Sequence, residues 1–352
     1  MFRVLVAEDS VVTRTYLAAI LGDDPGLEVV GLARNGIEAV EQAERLKPDV
    51  IVMEVYMPRM NGLEAAGRIM ERVPTPIVMV SASFSQDEVA MTFEALKAGA
   101  LTAVDKPCGP DHPDQAEAVR RLVETVKLMA EVKVVHRWPR KARSQGLEAV
   151  EQGPVPMPRQ IRLIAIGAST GGPQVIMEIL ASLPRDFRAP ILVVQHITPG
   201  FTRGLVTWLG QGTSLAVKLA ELGESVSPET VYLAPDGSHM GITKDGRLRL
   251  IKAAVQDGFC PSASYLFQSV AEAYGRSAMG VLLTGMGRDG AQGLLRLRQA
   301  GGVTIAQDEA TSVVFGMPGE AIRLGAAEHV LSPERIAGAI RSLAAPFPAF
   351  ER

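Results

Sequence analysis

Twice along this chain, short apolar runs alternate with segments whose apolar residues recur every three or four positions. Residues 1–107 carry the runs FRVLVAE, LEVVGLA, DVIVMEV, PIVMVSA and LTAVDKP, separated by stretches such as TRTYLAAILG and GIEAVEQAERL. Strands that alternate with helices pack as a parallel sheet covered on both faces. The pattern restarts at Ile161 and continues almost to the end, with IRLIAIGAS, APILVVQH and MGVLLTG as its clearest runs. The expected fold is therefore α/β, with two doubly wound parallel-sheet domains, the first flavodoxin-like and the second Rossmann-like. Between them, residues 108–132 read as a closing helix of the first domain, with Val119, Leu122, Val123, Val126 and Met129 on one face. Residues 133–160 break the pattern with the basic HRWPRKARSQ and the proline-rich GPVPMPRQ, which reads as a linker. The second domain is expected over residues 161–352.

At 352 residues the chain is long enough for two such cores. A net charge of -3 gives no electrostatic case for a nucleic-acid partner. No apolar run approaches the roughly 18–20 residues of a membrane span, which argues against membrane insertion. MFRVLVAEDS lacks the apolar core of a secretion signal, so a cytoplasmic protein is expected. Cys108 and Cys260 lie far apart, which argues against a disulfide framework. Cys260 has no visible histidine-paired setting and reads as an ordinary thiol.

The second domain delivers three chemically matched residues just past apolar runs: Ser169, His196 and Asp289. In a parallel α/β sheet these ends share one edge, where sites form. Together they supply a nucleophile, a general base and an orienting carboxylate. GASTG fits the G-x-S-x-G turn between strand and helix. There Gly167 is expected to permit a tight exit, Gly171 and Gly172 a close backbone approach, and Pro173 the first helical turn. The amides of the following helix could stabilise an oxyanion. His239, in APDGSHMG, reads as a turn residue and is the reserve candidate for the base. The order Ser, His, Asp differs from the Ser, acid, His of the α/β-hydrolases. Two other classes stay open. GASTGG could hold a nucleotide phosphate, although a matched G-x-G-x-x-G with a later ribose-binding acid is not evident. A non-catalytic regulatory scaffold is the other. No histidine–carboxylate cluster has metal-site spacing, so catalysis is expected to need no cofactor.

In the first domain, Glu8 and Asp9 follow the first run, Glu54 ends the third, Ser81 the fourth, and Lys106 follows the fifth. Acids, a hydroxyl and a lysine on one edge suit a Mg²⁺ and phosphoryl site.

IAIGASTGGP, VVQHITPGFTR, VYLAPDGSHM, GVLLTGMGRDGAQG and VVFGMPGEAI resemble successive blocks of the chemotaxis protein-glutamate methylesterase family, over most of residues 161–325. The resemblance implies hydrolysis of glutamyl γ-methyl esters on the cytoplasmic helices of chemoreceptors, with deamidation of some glutamines. It implies Ser169 as nucleophile, His196 as base and Asp289 as orienting acid, with Thr170 and the Met286 amide beside the nucleophile. Arg203, in PGFTR, matches a position at the cleft mouth that could guide an acidic receptor helix. One block departs: GFCPSAS stands where the family usually has a basic RHRPSVD-like stretch. Pro261 and Ser262 are kept, the arginines are missing, and Ser264 replaces the acid.

Residues 1–107, with MPRMNGLEA, resemble a response-regulator receiver domain. This implies Mg²⁺ at Glu8, Asp9 and Glu54. Two departures stand out. Glu54 occupies the phosphoacceptor place of an aspartate, which argues against a chemotaxis histidine kinase as phosphodonor. Ala103 stands where receivers often carry a switching aromatic. The domain is then expected to be either permanently switched, with Glu54 reaching toward Lys106, or an inert cap.

Overall fold

The computed structural model describes residues 1–81, 100, 102–107, 109, 115–132, 161–252 and 259–343. The linker expected at 133–160 lies outside the described residues, as do Cys108, His112 and His136.

The first domain contains β1 (Phe2–Ala7), α1 (Val11–Gly22), β2 (Leu27–Ala33), α2 (Gly36–Leu46), β3 (Val50–Glu54), α3 (Gly62–Arg72), β4 (Ile77–Ser81), β5 (Thr102–Asp105) and α4 (Gln115–Ala130). Its strands run parallel in the order β2-β1-β3-β4-β5. β3 is buried at every residue, which is why it reads as an unbroken apolar run rather than an alternating one. Ser10, Asn35 and Asn61 start α1, α2 and α3 by accepting backbone N–H groups three residues on. α4 buries Leu122, Val126 and Met129 at helical spacing.

The second domain continues with β6 (Leu163–Ala168), α5 (Gly172–Ala181), β7 (Ile191–Gln195), α6 (Thr202–Gly212), β8 (Ala216–Leu219), β9 (Thr230–Leu233), β10 (Ser238–Ile242), β11 (Leu248–Lys252), α7 (Ala263–Tyr274), β12 (Ala278–Leu282), α8 (Ala291–Gln299), β13 (Val303–Gln307), α9 (Met317–Arg323), β14 (His329–Leu331) and α10 (Pro333–Leu343). Seven strands form a parallel sheet in the order β14-β13-β12-β6-β7-β9-β8. The domain's first strand thus lies mid-sheet. The chain winds outward through β7, then returns to β12 on the opposite side of β6. That reversal opens a crevice at the carboxyl ends of β6 and β12, the usual place for a site in such sheets.

The remaining strands, β10 and β11, form an antiparallel hairpin packed on α7. Buried Ser269 of α7 pins it there. Its Oγ accepts from Ile242 N at 2.8 Å and donates to Ile242 O at 2.9 Å. Among the described residues, no helix is long and apolar enough to cross a membrane.

Candidate active site

Ser169 follows β6 at the crevice. Its N–H donates to Thr284 O at 3.0 Å, in the loop after β12, and its carbonyl accepts from Gly172 N at 2.8 Å. Gly171 turns the chain at φ +77°, a conformation other residues rarely adopt. Pro173 occupies the first turn of α5 as expected. Gly167 has a different role from the one expected. It lies inside β6, and a Cβ there would fall 2.7 Å from Ala263 Cβ. Its missing side chain lets α7 approach the strand; the tight turn belongs to Gly171.

His196 follows β7, with its N–H on Ala168 O at 2.9 Å. Buried Gln195 ties the two strand ends together, since its Nε2 donates to Ser169 O and to His196 O, each at 2.8 Å. His196 Nε2 lies 2.9 Å from Asp289 Oδ2. A carboxylate only accepts, so Nε2 carries the proton and Nδ1 keeps its lone pair. Nδ1 is buried and has no hydrogen-bond partner among the described residues. Ser169 Oγ makes no hydrogen bond there either. Ser169 and His196 are thus neighbours through their backbones, with the Oγ–Nδ1 bond not made. Phe259 stacks on the imidazole, with centroids 4.8 Å apart and planes 5° from parallel, and is itself 53% exposed.

Asp289 sits at the amino end of α7. Besides His196, its carboxylate accepts Ser262 Oγ at 2.8 Å, Ala263 N at 2.6 Å and Ser264 N at 3.0 Å. These donors include the unpaired amides of a helix start, which favour negative charge. Burial alone would raise the Asp289 pKa. The hydrogen bond and charge of His196, with hydrogen bonds from Ser264, outweigh it and hold the carboxyl well below its usual range. The departing GFCPSAS block therefore holds the Asp289 carboxylate. Ser264, which replaces the family's acid there, also accepts Gly290 N at 2.7 Å.

The structure corrects the reading of His239. It is not a turn residue but lies buried in β10, where its Nδ1 accepts Ser262 N at 3.2 Å. It does not stand in the place of the base.

Gly285 brings the loop after β12 against Ser169; a Cβ there would fall 2.6 Å from Ser169 Cβ. The neighbouring Thr284 Oγ1 lies 3.0 Å from Thr170 O and accepts Val314 N at 2.9 Å. The Thr170 and Met286 amides have no acceptor among the described residues. Arg203 is exposed in the first turn of α6.

At the carboxyl edge of the first sheet, Glu8, Glu54 and Lys106 converge. Lys106 Nζ lies 2.7 Å from Glu8 Oε2 and also pairs closely with Glu54 Oε2. Glu54 Oε1 accepts Val55 N at 2.6 Å and Tyr56 N at 3.1 Å. Burial chiefly, with the Glu54 charge, raises the Glu8 pKa against the pull of Lys106. Burial would lower the Lys106 pKa, but its two carboxylate partners raise it overall. Asp9 does not join. Its side chain is exposed, and its carbonyl accepts Arg14 Nη1 at 3.1 Å. Among the described residues no three histidine, cysteine, aspartate or glutamate side chains converge to hold a metal. Of the three acids expected for Mg²⁺, Glu8 and Glu54 are engaged by Lys106, and Asp9 stands apart from them. Ser81 ends β4 on this edge; its side chain lies outside the described part.

Two family models match the chain: "CheB methylesterase" over residues 164–340 and "Response regulator receiver domain" over residues 4–116. A Geobacter metallireducens protein named protein-glutamate methylesterase/protein-glutamine glutaminase 4 is 50% identical over 345 residues, 98% of this chain and 99% of that one. A Nitrosospira multiformis protein of the same type is 47% identical, covering 98% of each. The crystal structure of the Thermotoga maritima CheB methylesterase catalytic domain is similar at 39% identity and a TM-score of 0.51, over 53% of this chain and all of that one.

Proposed function

Because the chain belongs to the CheB methylesterase family, we propose that it hydrolyses glutamyl γ-methyl esters on the cytoplasmic helices of chemoreceptors, and deamidates glutamines, through a Ser169–His196–Asp289 triad. The observation that carries this is His196. Its proton is fixed on the Asp289 side, its other nitrogen is buried without a partner among the described residues, and its backbone is tied to that of Ser169 through Gln195. Such a nitrogen can accept a proton from Oγ once a substrate closes the contact; catalytic hydrogen bonds are often loose before then. Ser169 Oγ attacks the ester carbonyl while Nδ1 takes its proton. The amides of Thr170 and Met286 stabilise the oxyanion. Nδ1 returns the proton to the departing methoxide, methanol leaves, and an acyl-enzyme remains. A water deprotonated at Nδ1 then releases glutamate. With a glutamine substrate the leaving group is ammonia. No step uses a cofactor, and the cytosol is where the substrate helices lie.

The receiver is read as phosphorylation-independent. Glu54 already spends one oxygen on two backbone amides and the other on Lys106. That supports a domain which neither takes a phosphoryl group from a histidine kinase nor uses Mg²⁺. A nucleotide-phosphate role for GASTGG is less favoured, because the Gly172 amide is spent on Ser169 O.

Methanol release from methylated receptor fragments tests the reading. Ser169→Ala is expected to abolish it, together with labelling by a fluorophosphonate; near-normal release would sink the triad. Arg203→Ala is expected to raise KM more than it lowers kcat, as suits a residue that guides an acidic helix. A change confined to kcat would remove that docking role.

A further inference from the structure

A helix start leaves backbone N–H groups without acceptors, and the amide of the N-cap residue is one that needs outside help. In a capping box, a Glu or Gln at the third helical position supplies it. Helix α7 is capped by Ser262, whose Oγ accepts Tyr265 N at 3.2 Å. The third helical residue is Tyr265 itself, whose side chain has no such acceptor to give. The Ser262 N–H goes instead to His239 Nδ1, on the hairpin pinned across α7. The imidazole also stacks on the Tyr265 ring, with centroids 5.2 Å apart.

We infer that His239 is a positioning residue for the reaction: as a neutral imidazole it fixes the amino end of α7, and so aims the Asp289 carboxylate at His196. The chain of contacts is continuous. His239 holds the Ser262 amide, and Ser262 Oγ together with the next two amides holds Asp289. Asp289 in turn holds the Nε2 proton of His196, which keeps the lone pair on Nδ1. His239 touches no reacting atom and acts only through this seat. The inference rests on the triad proposed above.

The test uses the full chain and methylated receptor fragments. His239→Phe keeps the ring and its stack on Tyr265 but removes the acceptor. It is expected to lower kcat roughly tenfold at unchanged KM, the scale of one part-buried amide left unpaired. His239→Asn, whose Oδ1 can reach the Nδ1 place, is expected to restore most of the loss. Adding Tyr265→Gln to His239→Phe builds a capping box at Ser262 and is expected to restore kcat from the other side of the same amide. In an Asp289→Asn background, His239→Phe should cost nothing more, because both act on one orientation. Normal kcat in His239→Phe, or equal loss in the Phe and Asn variants with no rescue by Tyr265→Gln, would overturn the inference. If His239→Phe does not fold, the Asn variant and Tyr265→Gln on His239→Asn still decide it: a tenfold loss in His239→Asn that Tyr265→Gln does not restore would overturn it. Ser169→Ala run alongside separates the two failures. Activity surviving in Ser169→Ala removes the triad itself, whereas its loss beside a normal His239→Phe removes only the positioning role.

Discussion

The two parallel sheets carry carboxylates at the same edge and spend them in opposite ways. In the second domain Asp289 accepts four donors, yet the result is one histidine nitrogen left with a free lone pair. In the first, Glu8 and Glu54 close on Lys106, and Glu54 folds its other oxygen onto its own backbone. One edge keeps a histidine nitrogen unpartnered among the described residues; the other closes its carboxylates on one lysine. A shared architecture therefore does not imply shared reactivity. What decides is whether the local hydrogen bonds leave a group with capacity to spare.

The largest expected effect removes the spare atom. His196→Ala should lower kcat by about 10⁴-fold or more, and Asp289→Ala somewhat less, because a triad acts as a unit. Adding His196→Ala to Ser169→Ala should do little further. Additive losses in methanol-release kinetics would mean that the two residues do not share a step. Acidification should not protonate Asp289 in any working range, since its pKa lies well below the usual one.

A smaller effect should follow from the face of the imidazole. Phe259 covers it in a parallel stack. In the proposed mechanism, an aromatic face would stabilise the imidazolium formed during attack by about 1 kcal/mol. Phe259→Leu should keep the cover, lose the quadrupole and lower kcat roughly fivefold, with Phe259→Tyr near normal. Leu performing as well as Phe would reduce the stack to packing.

Much of this contrast was legible in the sequence. Ser169, His196 and Glu54 stand at or beside the ends of strands buried on both faces, which announce themselves as apolar runs, and Lys106 follows the half-buried edge strand β5. The seat of Asp289 was not legible, because Ser262, Ala263 and Ser264 lie about 25 residues upstream on another element. The available signal was Pro-Ser before an amphipathic run, an N-cap pattern. His239 was misread because Asp-Gly before it suggested a turn, whereas the hairpin strand begins at Ser238. Asp9 follows Glu8 just past β1, yet its side chain is exposed while that of Glu8 is buried. Gln195 passed unnoticed; a glutamine closing an apolar strand is the cue that its amide has a buried task.

The lysine-paired edge can be tested at its centre. Acetyl phosphate should neither label Glu54 nor change esterase activity, and stable phosphorylation there would reverse the reading of this domain. Glu54→Gln leaves half-buried Lys106 with Glu8 alone and should cost about 2 kcal/mol of stability, less than the loss of a sole partner. If esterase activity falls with it, and deleting residues 1–107 restores that activity, the Glu54 charge holds the domain switched. If activity stays level while stability drops, the domain is an inert cap.

The smallest effect concerns Asp105, beside Lys106 but outside the pairing. Burial raises its pKa from 3.8 to about 6, with Arg121 opposing weakly. The sign follows from linkage: the folded state prefers the protonated acid, so the contribution is fully present below 3.8. It is lost as pH rises through about 6, leaving a buried charge at neutral pH. Asp105→Asn keeps the shape without the ionisation. It should raise the melting temperature of the first domain near pH 7 and leave it unchanged near about pH 4. An equal shift at both values would show that the carboxylate is solvated. The contrast would then narrow to the three groups that meet at Lys106.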